Sequence, residues 1–226
     1  MNLALDIGNT ATKWATFEGS EMTGHGYGTP TEQLSAASRA LACVSGHYAG
    51  GLAIDILDSD TPLPIALNYK TPKTLGADRI ANVCGAWALH PGSASLVIDA
   101  GTCITVDFVD GGVTYHGGAI MPGLRMNLQA LHNFTEKLPL IDITESTKVT
   151  ILGRSTEESI VSGTLGATML ALAGYVTLYK EKAGELHVLL TGGGAATLAN
   201  AGATSWEHVE WLTMIGLNEI MRYHED

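Results

Sequence analysis

Basic side chains are scarce in this sequence: 12 Lys and Arg stand against 23 Asp and Glu in 226 residues, a formal net charge of -11 with a pI near 5.0. Attraction to a nucleic-acid backbone or an anionic membrane surface rests on clustered Lys and Arg, so neither partner is expected. Cysteine is also sparse. Cys43, Cys84 and Cys103 are odd in number, widely spaced and without a Cys-Xaa-Xaa-Cys pair, which argues against a disulfide framework or zinc site and fits a reducing cytoplasm. The eight histidines show neither His-Xaa-His nor His-Glu-Xaa-Xaa-His spacing, so no zinc or His-based chemistry is expected. Aromatic content is 6%, and Trp14, Trp87, Trp206 and Trp211 are scattered, which suits core or interface burial better than base stacking. No uninterrupted apolar run reaches bilayer length, and Leu3-Ala4-Leu5 meets a carboxylate at once, without the n-region, h-region or cleavage site of a signal peptide. No Gly-Xaa4-Gly-Lys-Ser/Thr occurs, and Gly192-Gly193-Gly194 lacks the third glycine of a dinucleotide fingerprint, so both common nucleotide-binding folds lose their main support.

Short apolar segments are abundant instead. Hydrophobic residues make up 46% of the chain and mean hydropathy is +0.17, enough to bury a core in one large or two small domains. Residues 2–7, 13–18 and 23–27 read as a three-strand meander, 31–41 as helix-forming, and 41–45 and 52–57 as strands separated by Gly46, Gly50 and Gly51. Pro62, Pro64 and Pro72 mark a loop-rich stretch. After Gly76, the spacing of Ile80, Val83, Cys84 and Trp87 predicts a helix ended by Pro91-Gly92, with Asp78 and Arg79 in its first turn. Segments 95–99, 103–109 and 113–116 repeat the opening pattern of strand, turn, strand, an internal duplication of architecture. Helices are predicted over 124–134, 157–179 and 214–224, the second opened by the capping-box pattern Ser155-Thr156-Glu157-Glu158. A strand over 186–190 runs into Thr191-Gly192-Gly193-Gly194. The predicted class is α/β in two similar halves, residues 1–92 and 93–226.

Two turns carry the chemistry, Asp6-Ile7-Gly8-Asn9-Thr10 and Asp99-Ala100-Gly101-Thr102. In each, an apolar run delivers a carboxylate at a strand end, Gly permits a tight turn, and Thr adds a hydroxyl beside backbone N–H groups, parts that suit a phosphate and its metal ion. One Asp-Xaa-Gly turn alone is an ordinary strand end; two, with a glycine run, are more specific. From spacing alone Asp99 could be a base, a magnesium ligand or a monovalent-cation ligand. With these turns the chain resembles the actin-like ATPase superfamily that includes acetate and sugar kinases. There, two duplicated ribonuclease-H-like domains, mixed sheets flanked by helices, hold a nucleotide in the cleft. Within it the chain is similar to the type III pantothenate kinases, through Asp6 to Thr10 with Lys13, Gly76-Ala77-Asp78-Arg79, Asp99 to Thr102, and Gly117-Gly118-Ala119-Ile120-Met121-Pro122-Gly123. The match continues through Lys137-Leu138-Pro139, Gly153-Arg154-Ser155-Thr156 and Leu190-Thr191-Gly192-Gly193, so it covers most of the chain.

The resemblance implies ATP-dependent phosphorylation of pantothenate, with ATP contacted by Asp6, Ile7, Gly8, Asn9, Thr10, Ala11, Thr12, Lys13 and Thr102. It implies a pantothenate site at Gly76, Ala77, Asp78 and Arg79, with Asp78 as general base, and further contacts from Tyr69 and Thr156. It assigns Asp99 to potassium or ammonium, calls for magnesium, and implies a homodimer whose interface lies near each substrate pocket. Thr156 has a rival role in the helix cap, and Tyr69 a rival role in packing. The chain departs from the family in a compressed stretch between Ser45 and Thr61, and in Cys103 where Ala or Ser is more usual. Two other functions are weighed beside this one: another small-molecule kinase of the superfamily, and a non-enzymatic transcriptional accessory factor.

Overall fold

The computed structural model describes residues 1–8, 10–46, 50, 52 and 54–224. The chain opens with the expected meander, β1 (Asn2–Ile7), β2 (Thr12–Glu18) and β3 (Glu21–Tyr27). Helix α1 (Thr31–Ala36) stops earlier than its composition suggests, because Ala37 is already extended and β4 (Arg39–Val44) pairs in parallel with β1 from Asn2↔Arg39 onward. Ladder pairing overrides local helix propensity here. Strand β5 (Asp55–Ile56) falls within the predicted 52–57 segment, of which residue 53 lies outside the described residues. The proline-rich stretch holds β6 (Ala66–Leu67) and a 3-10 turn, Pro72–Thr74. Helix α2 (Ala77–Leu89) follows, then β7 (Ser95–Ala100), β8 (Cys103–Val109) and β9 (Thr114–Pro122), the last longer than its apolar pattern indicated. The remainder is α3 (Leu124–Asn133), α4 (Thr156–Val161), a π-helical turn over Ser162–Gly166, α5 (Ala167–Ala183), β10 (His187–Thr191), α6 (Ala195–Asn200), β11 (Glu207–His208) and α7 (Leu212–Tyr223).

One sheet has the order β3-β2-β1-β4-β5 and the other β11-β10-β7-β8-β9-β6. Read from its other edge, the second repeats the first, with β6 added outside β9, so the duplication expected from the sequence is present. The chain forms two compact units, residues 1–95 with 107–117 and 211–226, and residues 96–106 with 118–210.

In the first unit one core cluster is Leu3, Leu5, Ile7 and Ala42, with Trp14, Leu34 and Val44 packed against it. Helices α2 and α7 cross at glycines. A Cβ at Gly85 would meet the Leu212 carbonyl at 2.6 Å, and one at Gly216 would overlap the Ala81 carbonyl. In the second unit α4, the π turn and α5 form one continuous helix, Thr156–Ala183. By length and composition it could cross a membrane, although no uninterrupted apolar run within it reaches bilayer length. Leu165, Leu172 and Val176 are buried in the protein, which makes it a core helix of the fold.

Candidate active site

Strand pairing assembles the first group of side chains. Asp6 on β1 lies opposite Lys13 on β2 and opposite Cys43 on β4, and directly opposed residues share a sheet face. The Cys43 thiol donates to Asp6 Oδ1 at 3.4 Å. Burial raises the Asp6 pKa above the ordinary carboxylate value; the Cys43 hydrogen bond and the Lys13 charge lower it, and Asp78 raises it further. Burial, with the two carboxylates beside it, likewise holds the Cys43 thiol protonated. The turn between β1 and β2 closes through Gly8 N–H donating to the Ala11 carbonyl at 3.1 Å, where a Cβ on Gly8 would crowd the same oxygen. Thr10 lies in this turn, Ile7 is buried on β1, and Thr12 begins β2; Asn9 lies outside the described residues. The Lys13 ammonium stands 5.9 Å from the Tyr27 ring centre and 6.0 Å from that of Trp211.

Asp78 enters from the first turn of α2, where a carboxylate is favoured by the helix dipole. It is half-buried, and one of its oxygens accepts from the Arg79 N–H at 2.9 Å. Gly76 caps the helix in extended conformation, Ala77 starts it, and a Cβ on Gly76 would run into the Asp78 carboxylate. Arg79 points inward. Its Nε donates to Asp107 Oδ1 at 2.9 Å and its Nη2 to the same oxygen at 2.7 Å, and Tyr115 Oη donates to that oxygen at 2.8 Å. Asp107 and Tyr115 are fully buried and Arg79 is 5% exposed. Burial alone would lower the Arg79 pKa, but the Asp107 hydrogen bonds and charge outweigh it and leave the guanidinium firmly charged. A cation in the first helical turn, unfavourable by the dipole, is therefore compensated by a buried carboxylate. Tyr69 is half-buried, its ring 5.9 Å from that of Tyr115 and against Gly117.

The second unit brings its own motifs together. Asp99 is half-buried at the end of β7 and Thr102 is exposed in the turn after it. Gly194 N–H donates to the Ala100 carbonyl at 2.8 Å, so the glycine run lies on this turn. Gly192 has φ +88, and a Cβ there would overlap the Asp99 carboxylate and lie 2.7 Å from Ala100. On the turn's other side Gly123 N–H donates to the Thr102 carbonyl at 3.2 Å, again with no room for a Cβ. Further along, the helix cap is Ser155, whose Oγ accepts from Glu158 N–H at 3.1 Å while the Glu158 carboxylate accepts from Arg154 N–H at 2.6 Å. Thr156 is the first helical residue, exposed, and lines a groove of about 750 Å³ with Arg154, Ser159, Leu131 and Leu138. The capping work falls to its neighbour.

These groups fit the ligands that the sequence points to. Carboxylate oxygens such as that of Asp6 suit magnesium held jointly with phosphate. The Asp99 carboxylate is of the oxygen type that a monovalent cation takes, and the glycines at 123 and 192 let backbone approach this turn closely. Sequence reasoning missed Cys43, Asp107 and Tyr115. A signal was present for Asp107, since a carboxylate inside the apolar strand Cys103–Val109 requires a buried partner.

A family model described as type III pantothenate kinase matches residues 32–178. A type III pantothenate kinase of Phocaeicola vulgatus is 36% identical, covering 100% of this chain and 99% of its own. One from Bacteroides fragilis is 38% identical over 99% and 98% of the two chains. Among solved structures, a protein described as a Baf family transcriptional activator from Campylobacter jejuni superposes with a TM-score of 0.66 at 16% identity, covering 99% of this chain and 98% of that one. The ADPNP-bound activator of the 2-hydroxyisocaproyl-CoA dehydratase from Clostridium difficile follows with a TM-score of 0.57 at 16% identity, covering 99% and 96%. At such identities the solved structures establish the actin-like α/β fold, while full-length matches above 30% establish more: this chain belongs to the type III pantothenate kinase family.

Proposed function

We propose that the protein transfers the γ-phosphoryl group of ATP to the 4′-hydroxyl of pantothenate, yielding 4′-phosphopantothenate in the first step of coenzyme A biosynthesis. The observation that carries this reading is the full-length match to relatives of that name, joined to Asp78 at the start of α2 beside the Asp6 and Lys13 pair. The regulatory alternative is not favoured, because the neighbour described as a transcriptional activator shares the fold alone.

Phosphoryl transfer depends on positioning and charge neutralisation more than on covalent chemistry. Asp78 is the general base: its carboxylate orients the acceptor hydroxyl and takes its proton as the bond to phosphorus forms. Lys13 neutralises charge on the phosphate oxygens; Asp6 to Thr12 and Thr102 hold ATP through backbone N–H groups and hydroxyls. Magnesium, when bound, supplies electrostatic stabilisation of the phosphates. Gly76, Ala77, Arg79, Tyr69 and Thr156 form the pantothenate site, Arg79 acting while paired to Asp107. Asp99 holds potassium or ammonium.

A homodimer in the cytoplasm completes the proposal. Phe134, Leu152 and Ile120 are 89%, 81% and 64% exposed in the second unit. Burial of these side chains against a second copy is part of the proposal.

The direct test is Asp78→Asn. Loss of a general base lowers turnover by roughly a hundredfold or more, with ATP affinity nearly unchanged. Turnover within a few-fold of the parent rules out the base assignment.

A further inference from the structure

The strand register lays one row of side chains across four strands of the first sheet. Tyr27 on β3 stands opposite Lys13 on β2, Lys13 opposite Asp6 on β1, and Asp6 opposite Cys43 on β4, so all four share a face. The row lies one residue in from the Ile7↔Thr12 pair that precedes the turn between β1 and β2. Lys13 therefore has a carboxylate as its neighbour on one strand and an aromatic ring as its neighbour on the other. A second ring arrives from the start of α7. Trp211, the residue that caps this helix, has its ring centre 5.7 Å from that of Tyr27, with 60° between the ring planes. The Lys13 ammonium stands 5.9 Å from the Tyr27 ring centre and 6.0 Å from that of Trp211, distances at which a ring face attracts a cation. Each ring has its own support. Gly28 N–H donates to the Thr12 carbonyl at 2.9 Å and ties the end of β3 to β2 beside Tyr27, while the His25 ring packs on Trp211 with centres 4.5 Å apart. All of these residues belong to the first unit.

A lysine ammonium on its flexible stem loses rotamer freedom when it settles on a phosphate. Ring faces that hold it beforehand remove part of that cost, and they attract the ammonium without cancelling its charge as a carboxylate would. We propose that Tyr27 and Trp211 are positioning residues for ATP: their rings hold the Lys13 ammonium ready for the phosphate oxygens. This rests on the assignment of Lys13 to ATP phosphate in the proposed function, and extends it to two aromatic side chains outside the motifs that carry that reading.

The test measures the affinity of the full chain for a non-hydrolysable ATP analogue with magnesium, by titration calorimetry, alongside pantothenate KM and a thermal melt of each variant. Tyr27→Phe and Trp211→Phe keep a ring face; Tyr27→Leu and Trp211→Leu remove it. The expected result is a roughly two- to fivefold weaker analogue affinity in each Leu variant, the scale of one cation–π contact at a partly exposed site. Affinity stays near the parent value in each Phe variant, and pantothenate KM is unchanged throughout. In a Lys13→Ala background the Leu changes add nothing, because the cation they hold is gone. Unchanged affinity in a Leu variant, equal losses in Phe and Leu variants, or a Leu effect that persists without Lys13 overturns the inference. If Trp211→Leu fails to fold, Tyr27, which is 61% exposed, carries the same criteria alone. A parent protein that binds the analogue but makes no ADP with pantothenate overturns the functional reading and leaves the Lys13 cycle to decide this inference; a parent that binds no analogue overturns both.

Discussion

Asp6 sits where its surroundings disfavour the charged carboxylate. Burial raises its pKa, Asp78 raises it further, and Cys43 and Lys13 offset only part of this. A carboxyl whose folded-state pKa lies above the unfolded value stabilises the fold when protonated. That contribution is complete below the ordinary carboxylate pKa and is lost as pH rises through the raised folded value. An ionised Asp6 therefore costs stability relative to its protonated form, as expected of a carboxylate kept for function. Asp6→Asn is predicted to melt at a higher temperature than the parent at pH 7 and to lose ATP-dependent turnover, with the stability gap narrowing toward about pH 4. A lower melting temperature at pH 7 contradicts this. The two Asp-Xaa-Gly turns were legible because their chemistry is local: strand end, glycine, hydroxyl. The partners of Arg79 were not, since Asp107 and Tyr115 lie 28 and 36 residues later, on β8 and β9. The inward turn of that arginine depends on them.

At the scale of elements, the least tolerant contact is the crossing of α2 and α7. Gly216 abuts the Ala81 carbonyl and Gly85 abuts that of Leu212. Gly216→Ala has no side chain to displace, only backbone, and is predicted to cost about 3 kcal/mol or more in urea unfolding. Gly174 on α5 has open space around its Cβ position, and Gly174→Ala should stabilise by about 0.5 to 1 kcal/mol through helix propensity. Equal effects at the two sites would contradict the packing described. Helices α2 and α7 could be read because their buried residues recur at helical spacing; Met214, Leu217, Ile220 and Met221 are all buried. Helix α6 and strand β11 could not, with only six and two residues to carry a pattern. The Thr156–Ala183 helix was legible over 157–179, while its apolar length was not, because Glu157, Glu158 and scattered Ser and Thr interrupt it.

Over the whole molecule, the repeated strand order of the two sheets explains why one short sequence pattern occurs twice. The hydrophobic period gave that duplication; it could not give the return of residues 211–226 to the first unit, because nothing local to α7 says which sheet it covers. Two bulk measurements follow from the proposed assembly and cation. Light scattering should give a mass twice the 23.7 kDa of the chain, and a monomer at micromolar concentration contradicts a dimer. Exchanging potassium for sodium should sharply weaken activity or ATP affinity, and equal activity in both salts counts against a selective site at Asp99. The most direct test of the central claim is the identity of the product. The protein is incubated with ATP, magnesium, potassium and pantothenate, and the mixture is analysed by mass spectrometry beside Asp78→Asn. One 4′-phosphopantothenate per ADP, nearly abolished in the variant, is the predicted result; ADP without phosphorylated pantothenate, or no ATP consumption by folded protein, contradicts it.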